Sequence, residues 1–189
     1  MQTNNYPFKE EPQKSYEQEK NIQYEECIEY LCVNSSDRNT TAYPSVNSYK
    51  ISFQETFRNI KSIEVVNGSV ANQGSPLNNP YLILKVDGLD HLNFSNLNIN
   101  KGFALLYLKP TSGAHVQPEL GVLQRNIRYF DPSLASLNSI TIQILKPDGT
   151  LFSFGETSGN TAVAYSNSFV FKITTVRKNR SSLNARNLY

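Results

Sequence analysis

The side chains with most chemistry to offer are two cysteines, two histidines and one acidic loop. Cys27 and Cys32 lie five residues apart, with no further cysteine in the chain and no histidine near them. A zinc site asks for about four ligands, and His91 and His115 are remote in sequence. The spacing therefore predicts two thiols near one face of a short helix, and no metal. His91 falls in Asp87-Gly88-Leu89-Asp90-His91, and His115 stands between Pro110 and Pro118. Both are loop-like settings in which polar residues are expected. A histidine-activated nucleophile needs serine or cysteine within reach and a third group to orient the base, and the sequence supplies no such third member. Asp87 and Asp90 bring two carboxylates to one loop, short of the roughly six oxygens that calcium takes. The nine glycines are scattered rather than gathered into a phosphate loop. No catalytic, cofactor-binding or metal-ligating residue is assigned. The expectation is a chain that is not an enzyme, carries no cofactor and has no small-molecule substrate.

Five Asn-x-Ser/Thr triplets begin at Asn34, Asn39, Asn67, Asn93 and Asn179. Met1 to Lys20 carries Glu and Lys where a signal peptide needs an apolar stretch. Synthesis in a reducing cytosol is expected, with unmodified asparagines and no disulfide. No apolar run approaches the eighteen or so residues of a membrane span.

Any site needs elements to hold it, and the apolar pattern divides the chain in three. Residues 1–42 are nearly all polar. Within them Tyr24, Ile28, Leu31 and Cys32 recur at the spacing of one helix face, which predicts a short helix on an extended N-terminal arm. From Tyr49 the period changes to two, within an expected sandwich of residues 43–176. Tyr49, Ile51 and Phe53 alternate with Lys50, Ser52 and Gln54. Ile60 to Ala71 is a long β-branched run with Asn67-Gly68 as a turn or bulge inside it. Tyr81 to Val86 reads as a strand buried on both faces, Phe103 to Leu108 as the next, and Val122 to Tyr129 as a weaker one. Ile140, Ile142 and Ile144 alternate with Thr141 and Gln143, and Pro147-Asp148-Gly149 signals a turn across which Leu151 to Phe154 returns. Phe169, Phe171 and Ile173 close the series. Pro132 to Leu137 is expected to form a helical turn. About eight strands with Gly, Pro, Asn and Asp punctuation predict an all-β fold, an antiparallel eight-stranded sandwich best matched by a single jelly roll. An immunoglobulin-like sandwich ranks behind it, since its Cys…Trp…Cys signature is missing. The predicted core includes Ile51, Phe53, Ile83, Leu84, Leu105, Ile142, Ile144, Phe169 and Phe171. Residues 177–189 form a short C-terminal tail.

Charge is polarised although the net is only +2. Through Tyr30 there are seven Glu against Lys9, Lys14 and Lys20, whereas Arg177 to Tyr189 holds four basic residues and no acid. That tail is too short for a nucleic-acid arm, and no sequence-specific nucleic acid is expected as a partner.

Three stretches carry a family likeness: Phe57-Arg58-Asn59-Ile60-Lys61-Ser62-Ile63-Glu64, Asn79-Pro80-Tyr81-Leu82-Ile83-Leu84-Lys85-Val86, and Phe130-Asp131-Pro132 through Leu134, Leu137 and Ile140 to Ile144. With Pro147-Asp148-Gly149 and Leu151 to Phe154, they resemble the capsid proteins of nucleocytoplasmic large double-stranded DNA viruses, over roughly residues 49–176. These are patterns of short apolar strands and carry no functional residues across. The resemblance implies a single jelly roll used as a minor capsid protein that joins capsomers, or as the vertex (penton) protein. Its partners would be other major and minor capsid proteins, and itself as a pentamer. Its location would be the virion, after assembly in the host cytoplasm. The major capsid protein of such viruses carries two jelly rolls, for which this chain is too short. The competing classes are a carbohydrate-binding β-sandwich module, which calls for exposed aromatics, and a small β-sandwich enzyme, which calls for a cleft joining a histidine to an acid.

Overall fold

Period-two alternation builds nearly every element. The computed structural model describes residues 24–110, 113–119, 126–155 and 163–179. Its strands are β1 (Tyr24–Asn34), β2 (Ser48–Ala71), β3 (Leu82–Val86), β4 (Leu92–Asn93), β5 (Lys101–Gly102), β6 (Ala104–Leu108), β7 (His115–Val116), β8 (Pro118–Glu119), β9 (Ile127–Leu145) and β10 (Ser168–Lys178). Short 3₁₀ turns fall at Ser35–Asp37, Pro76–Asn78 and Val163–Tyr165. The body is Glu26–Arg177.

The strand order β1-β10-β2-β9-β3-β6-β8 is an antiparallel sheet rolled into two layers, because β2 and β9 are long enough to serve in both. In one layer β1 lies beside β10, β10 beside the second half of β2 (Ile63 opposite Ile173), and that half beside the start of β9 (Ile63 opposite Arg128). In the other, the first half of β2 pairs the end of β9 (Ile51 opposite Ile140), β9 pairs β3, and β3 pairs β6. Two four-stranded layers wound from one folded ribbon are a jelly roll. The ribbon bends between layers where its register slips. On β2, Ser52 to Phe57 spans only Ser139 to Leu137 of β9. Next to it, Ile60 to Ser62 faces the longer stretch Leu134 to Tyr129. Unequal lengths of this kind kink and twist a ladder. The segment His115–Glu119 then bridges the layers, β7 pairing Val70 and Ala71 of β2 while β8 pairs β6.

Between the layers lie Tyr49, Phe103, Phe154, Phe169 and Phe171, all fully buried. Of the predicted core, Ile51 and Phe53 are half-buried against this cluster, and Leu105 packs on a smaller second one. That second cluster joins Ile83, Leu145 and Ile99 with Tyr81 and Phe94. It explains why β3 is apolar on both faces: Leu82, Leu84 and Val86 face the main core, and the Phe94–Ile99 loop covers Ile83.

Three expectations are corrected. Tyr24–Cys32 is not a helix but most of β1, with Leu31 and Val33 packed toward the core and Ile28 and Tyr30 exposed. The helical spacing had combined residues from both faces of a strand, and a paired neighbour in β10 outweighs weak local helix preference. The sandwich therefore begins near Glu26 rather than at residue 43. The remainder of the expected arm, and the tail beyond Asn179, lie outside the described residues, as does the first half of Val122–Tyr129; Ile127 to Tyr129 open β9. Pro132–Leu137 is no helical turn but part of β9, held extended by pairing of Leu134 with Ile60 and Leu137 with Phe57. Leu151–Phe154 returns across the Pro147-Asp148-Gly149 turn as a single bridge to Leu145, not as a strand. Its Phe152 and Phe154 rings turn into the core and meet edge to face at 4.8 Å.

Buried polar groups pin β1 to this body. Asn167 donates through Nδ2 to the Val46 carbonyl (2.8 Å), accepts from the Tyr49 hydroxyl (2.7 Å), and exchanges bonds with Ser35, each 2.9 Å. Buried Arg38 donates to the carbonyls of Ser35 (2.8 Å), Tyr43 (2.8 Å) and Pro44 (2.9 Å), fixing the loop that leads into β2.

Candidate interaction surface

The chemistry-bearing residues do not converge on one site. His91 packs its ring edge to face on Phe103 at 5.4 Å, whereas His115 belongs to β7 opposite Ala71. Cys27 and Cys32 are free, and an odd separation on a strand sends them to opposite faces. The expectation of one shared face is thereby corrected. Among the described residues no cluster of His, Cys, Asp or Glu is arranged to hold a metal ion. None of their helices is long and apolar enough to cross a membrane.

Asp87–Asp90 is a tight turn. Leu89 N–H donates to the Val86 carbonyl at 2.9 Å, and Gly88 takes φ +74°, a conformation open to glycine. The Asp90 carboxylate accepts from Val86 N–H at 2.7 Å, and burial pushes its pKa up to about 6. Arg128 clamps the same turn by donating to the carbonyls of Gly88 (3.1 Å) and Asp90 (2.9 Å), and its guanidinium lies over the Phe130 ring. Asp90 thus holds its own backbone. Beside it, His91, Lys101, Arg128 and Tyr129 line an open pocket of about 520 Å³. Two cations, a carboxylate and an exposed aromatic ring suit polar recognition. This pocket was not readable from sequence, because Arg128 and Tyr129 reach it only through the course of β9.

Three of the triplet asparagines accept bonds from neighbouring backbone, two in turns and one within β2. Asn34 Oδ1 accepts from Ser36 N–H (2.8 Å), Asn39 from Thr41 and Ala42 N–H (3.0 and 3.1 Å), and Asn67 from Gly68 N–H (2.7 Å) beside a bulge in the β2–β10 ladder. Asn93 lies exposed in β4 and Asn179 ends the described C-terminal stretch.

The most distinctive surface is β1 itself. Among the described residues it pairs on one side only, with β10. The pair is antiparallel: Ser35 bonds Asn167 at one end, and Thr175 approaches the Cys27 carbonyl at the other. Tyr30 is 66% exposed and Ile28 55%. The strand carries Glu25, Glu26 and Glu29 and no cation. Glu29 pairs with Arg177 at 2.5 Å, and Glu26 pairs with Lys61. A long, partly apolar open edge is a ready template for another strand.

Comparison with known proteins adds one finding. A family of unknown function (DUF5901) matches residues 20–74, a stretch that includes β1, the Arg38 loop and β2. No curated protein matches the chain.

Proposed function

We propose that the chain is a structural subunit of a viral shell, a single jelly-roll minor capsid or vertex protein of a nucleocytoplasmic large DNA virus. The observation that carries this reading is the pairing order, two four-stranded layers wound from one ribbon, in the segment whose strand motifs resemble capsid proteins of that group. The open β1 edge supports it further, since subunits that tile a shell work through contact surfaces rather than through a cleft. The test is composition and assembly. The full chain should be present in purified virions, and removing residues 1–23 or 180–189 should leave the domain folded while reducing its incorporation. Absence of the chain from virions refutes the reading.

A second reading, a carbohydrate-binding module, draws on one observation: Tyr129 is 67% exposed on the pocket that also holds Asp90 and Arg128. A sugar stacks on such a ring and takes hydrogen bonds from charged neighbours. A glycan array on wild type and Tyr129→Ala, with and without chelator, decides it. No binding on the array refutes this reading.

A further inference from the structure

The open side of β1 is an eleven-residue strand edge. Cys27 and Ser35 both direct a backbone group at β10. By alternation along an antiparallel strand, the N–H and C=O groups of Ile28, Tyr30 and Cys32 face away from it. This edge carries no proline or lysine, the devices that usually blunt one.

Charge selects among occupants. A second copy of β1 would bring three further glutamates and no cation to an edge that already holds three, so it offers no ion pair across the ladder in any register. Residues 1–23 carry more Glu than Lys and no Arg, so they match no better. Residues 179–189 are Asn-Arg-Ser-Ser-Leu-Asn-Ala-Arg-Asn-Leu-Tyr: two cations, no acid, no proline and no glycine to interrupt a strand. Just before it, at the end of β10, Arg177 already pairs with Glu29 of β1. Beyond the end of β10 at Lys178, residues 179–189 would cover roughly 36 Å if extended, the length of β1. Within one chain the tail would leave β10 where β1 begins. It would have to cross over β1 and run parallel to it, and the crossover alone takes a dozen or more residues, so residues 179–189 could not both cross and pair. A neighbour's tail has no such restriction.

We propose that the C-terminal tail of a second copy adds to the open edge of β1 as a further strand. The contact is head to tail, acidic edge to basic tail, so successive copies form a ring if the rotation closes. The ring as a vertex assembly rests on the shell-subunit reading; the strand addition stands apart from it.

The probe is a labelled peptide of residues 177–189, titrated into the chain lacking 180–189. Saturable binding is expected, with Ile28→Pro weakening it at least about tenfold, because proline removes an outward N–H yet is tolerated on an edge. Circular dichroism checks that the variant is folded, and Tyr30→Pro, which removes the next outward N–H, replaces it if it is not. The full chain should sediment as an oligomer, and the 180–189 deletion as a monomer. Equal peptide affinity for wild-type and proline edges overturns the proposal. So does persistent self-association of the deletion, which would assign the edge to a second β1. So too does a monomeric full chain that excludes the peptide, which would mean the tail fills its own edge. A chain absent from virions that still binds the peptide defeats only the shell reading. A chain present in virions that does not bind it defeats only the strand addition.

Discussion

Tyr49→Phe tests the buried polar link that joins the ends of β1, β2 and β10. The Tyr49 side chain is fully buried, and burial pushes its phenol pKa well above the ordinary tyrosine value. It stays neutral and can act only as a donor or acceptor. It donates to Asn167 Oδ1 at 2.7 Å, while Asn167 Nδ2 is committed to the Val46 carbonyl at 2.8 Å. Phenylalanine keeps the ring and its packing but removes that donor, leaving Oδ1 buried and unsatisfied. An orphaned neutral acceptor costs about 1–3 kcal/mol, and the expected loss lies in that range. Urea denaturation followed by circular dichroism measures it as a lower midpoint at unchanged slope. Pairing Tyr49→Phe with Asn167→Ala in a double-mutant cycle should return a coupling of about 1 kcal/mol. Exchange of the Ser35 amide, which bonds the Asn167 carbonyl at 2.9 Å, should also quicken. A loss below about 0.5 kcal/mol with no coupling would show that the hydroxyl is only filling space.

Arg38→Lys should cost about 2–4 kcal/mol despite keeping the charge, because one ammonium cannot reproduce the planar fork that meets three carbonyls; unchanged thermal stability refutes the cage. Asp90→Asn tests the turn. Its folded pKa of about 6 lies above the unfolded value near 3.9, so the native state binds the extra proton. Wild-type stability from this group is fullest below about pH 4 and declines as pH rises to about 6. Asparagine retains the acceptor for Val86 N–H without the desolvated charge. It should be more stable than wild type at pH 7, by about 1 kcal/mol after allowing for a half-exposed group, and should flatten the decline. Parallel pH profiles for the two proteins refute the assignment.

How much was legible follows from the range of the forces involved. Strands buried on one face announce themselves locally: Tyr49 to Phe53, Ile140 to Ile144 and Phe169 to Ile173 alternate because one side meets the core. Tyr81 to Val86 was readable as doubly buried, although nothing local revealed that the Phe94–Ile99 loop covers Ile83. β1 was misread because three glutamates dilute its strand character, and its pairing with β10 spans most of the chain. Pro132 to Leu137 was misread for a related reason, since only the partner strand holds it extended. The polar anchors were least legible of all. Asn167 finds Tyr49 118 positions away and Ser35 132 positions away. Arg38 lies close in sequence to its three acceptors, yet an arginine in a polar loop reads as solvated until its burial is seen.

These anchors also make β1 unequal along its length, which bears on how the edge can be used. Its C-terminal end is tied by buried, uncharged bonds through Ser35 and Asn167, and the following loop is fixed by Arg38. Its N-terminal part is held at the surface by Glu29 with Arg177 and Glu26 with Lys61. Exposed pairs of this type contribute about 1 kcal/mol or less each and weaken with salt. An incoming basic strand would therefore meet a rigid end and a compliant one. At the compliant end it would exchange one set of ion pairs for another, with little net Coulomb gain, so affinity must come mainly from main-chain bonds along the edge. Charge then acts as a selector, disfavouring a second acidic strand more than it strengthens a basic one. The family match from residue 20 to 74 includes this edge, the loop that fixes its rigid end and the whole of β2. Contact surface and support are thus contiguous in the chain, and a change in the support alone, such as Arg38→Lys, would loosen the edge without touching a single residue of it.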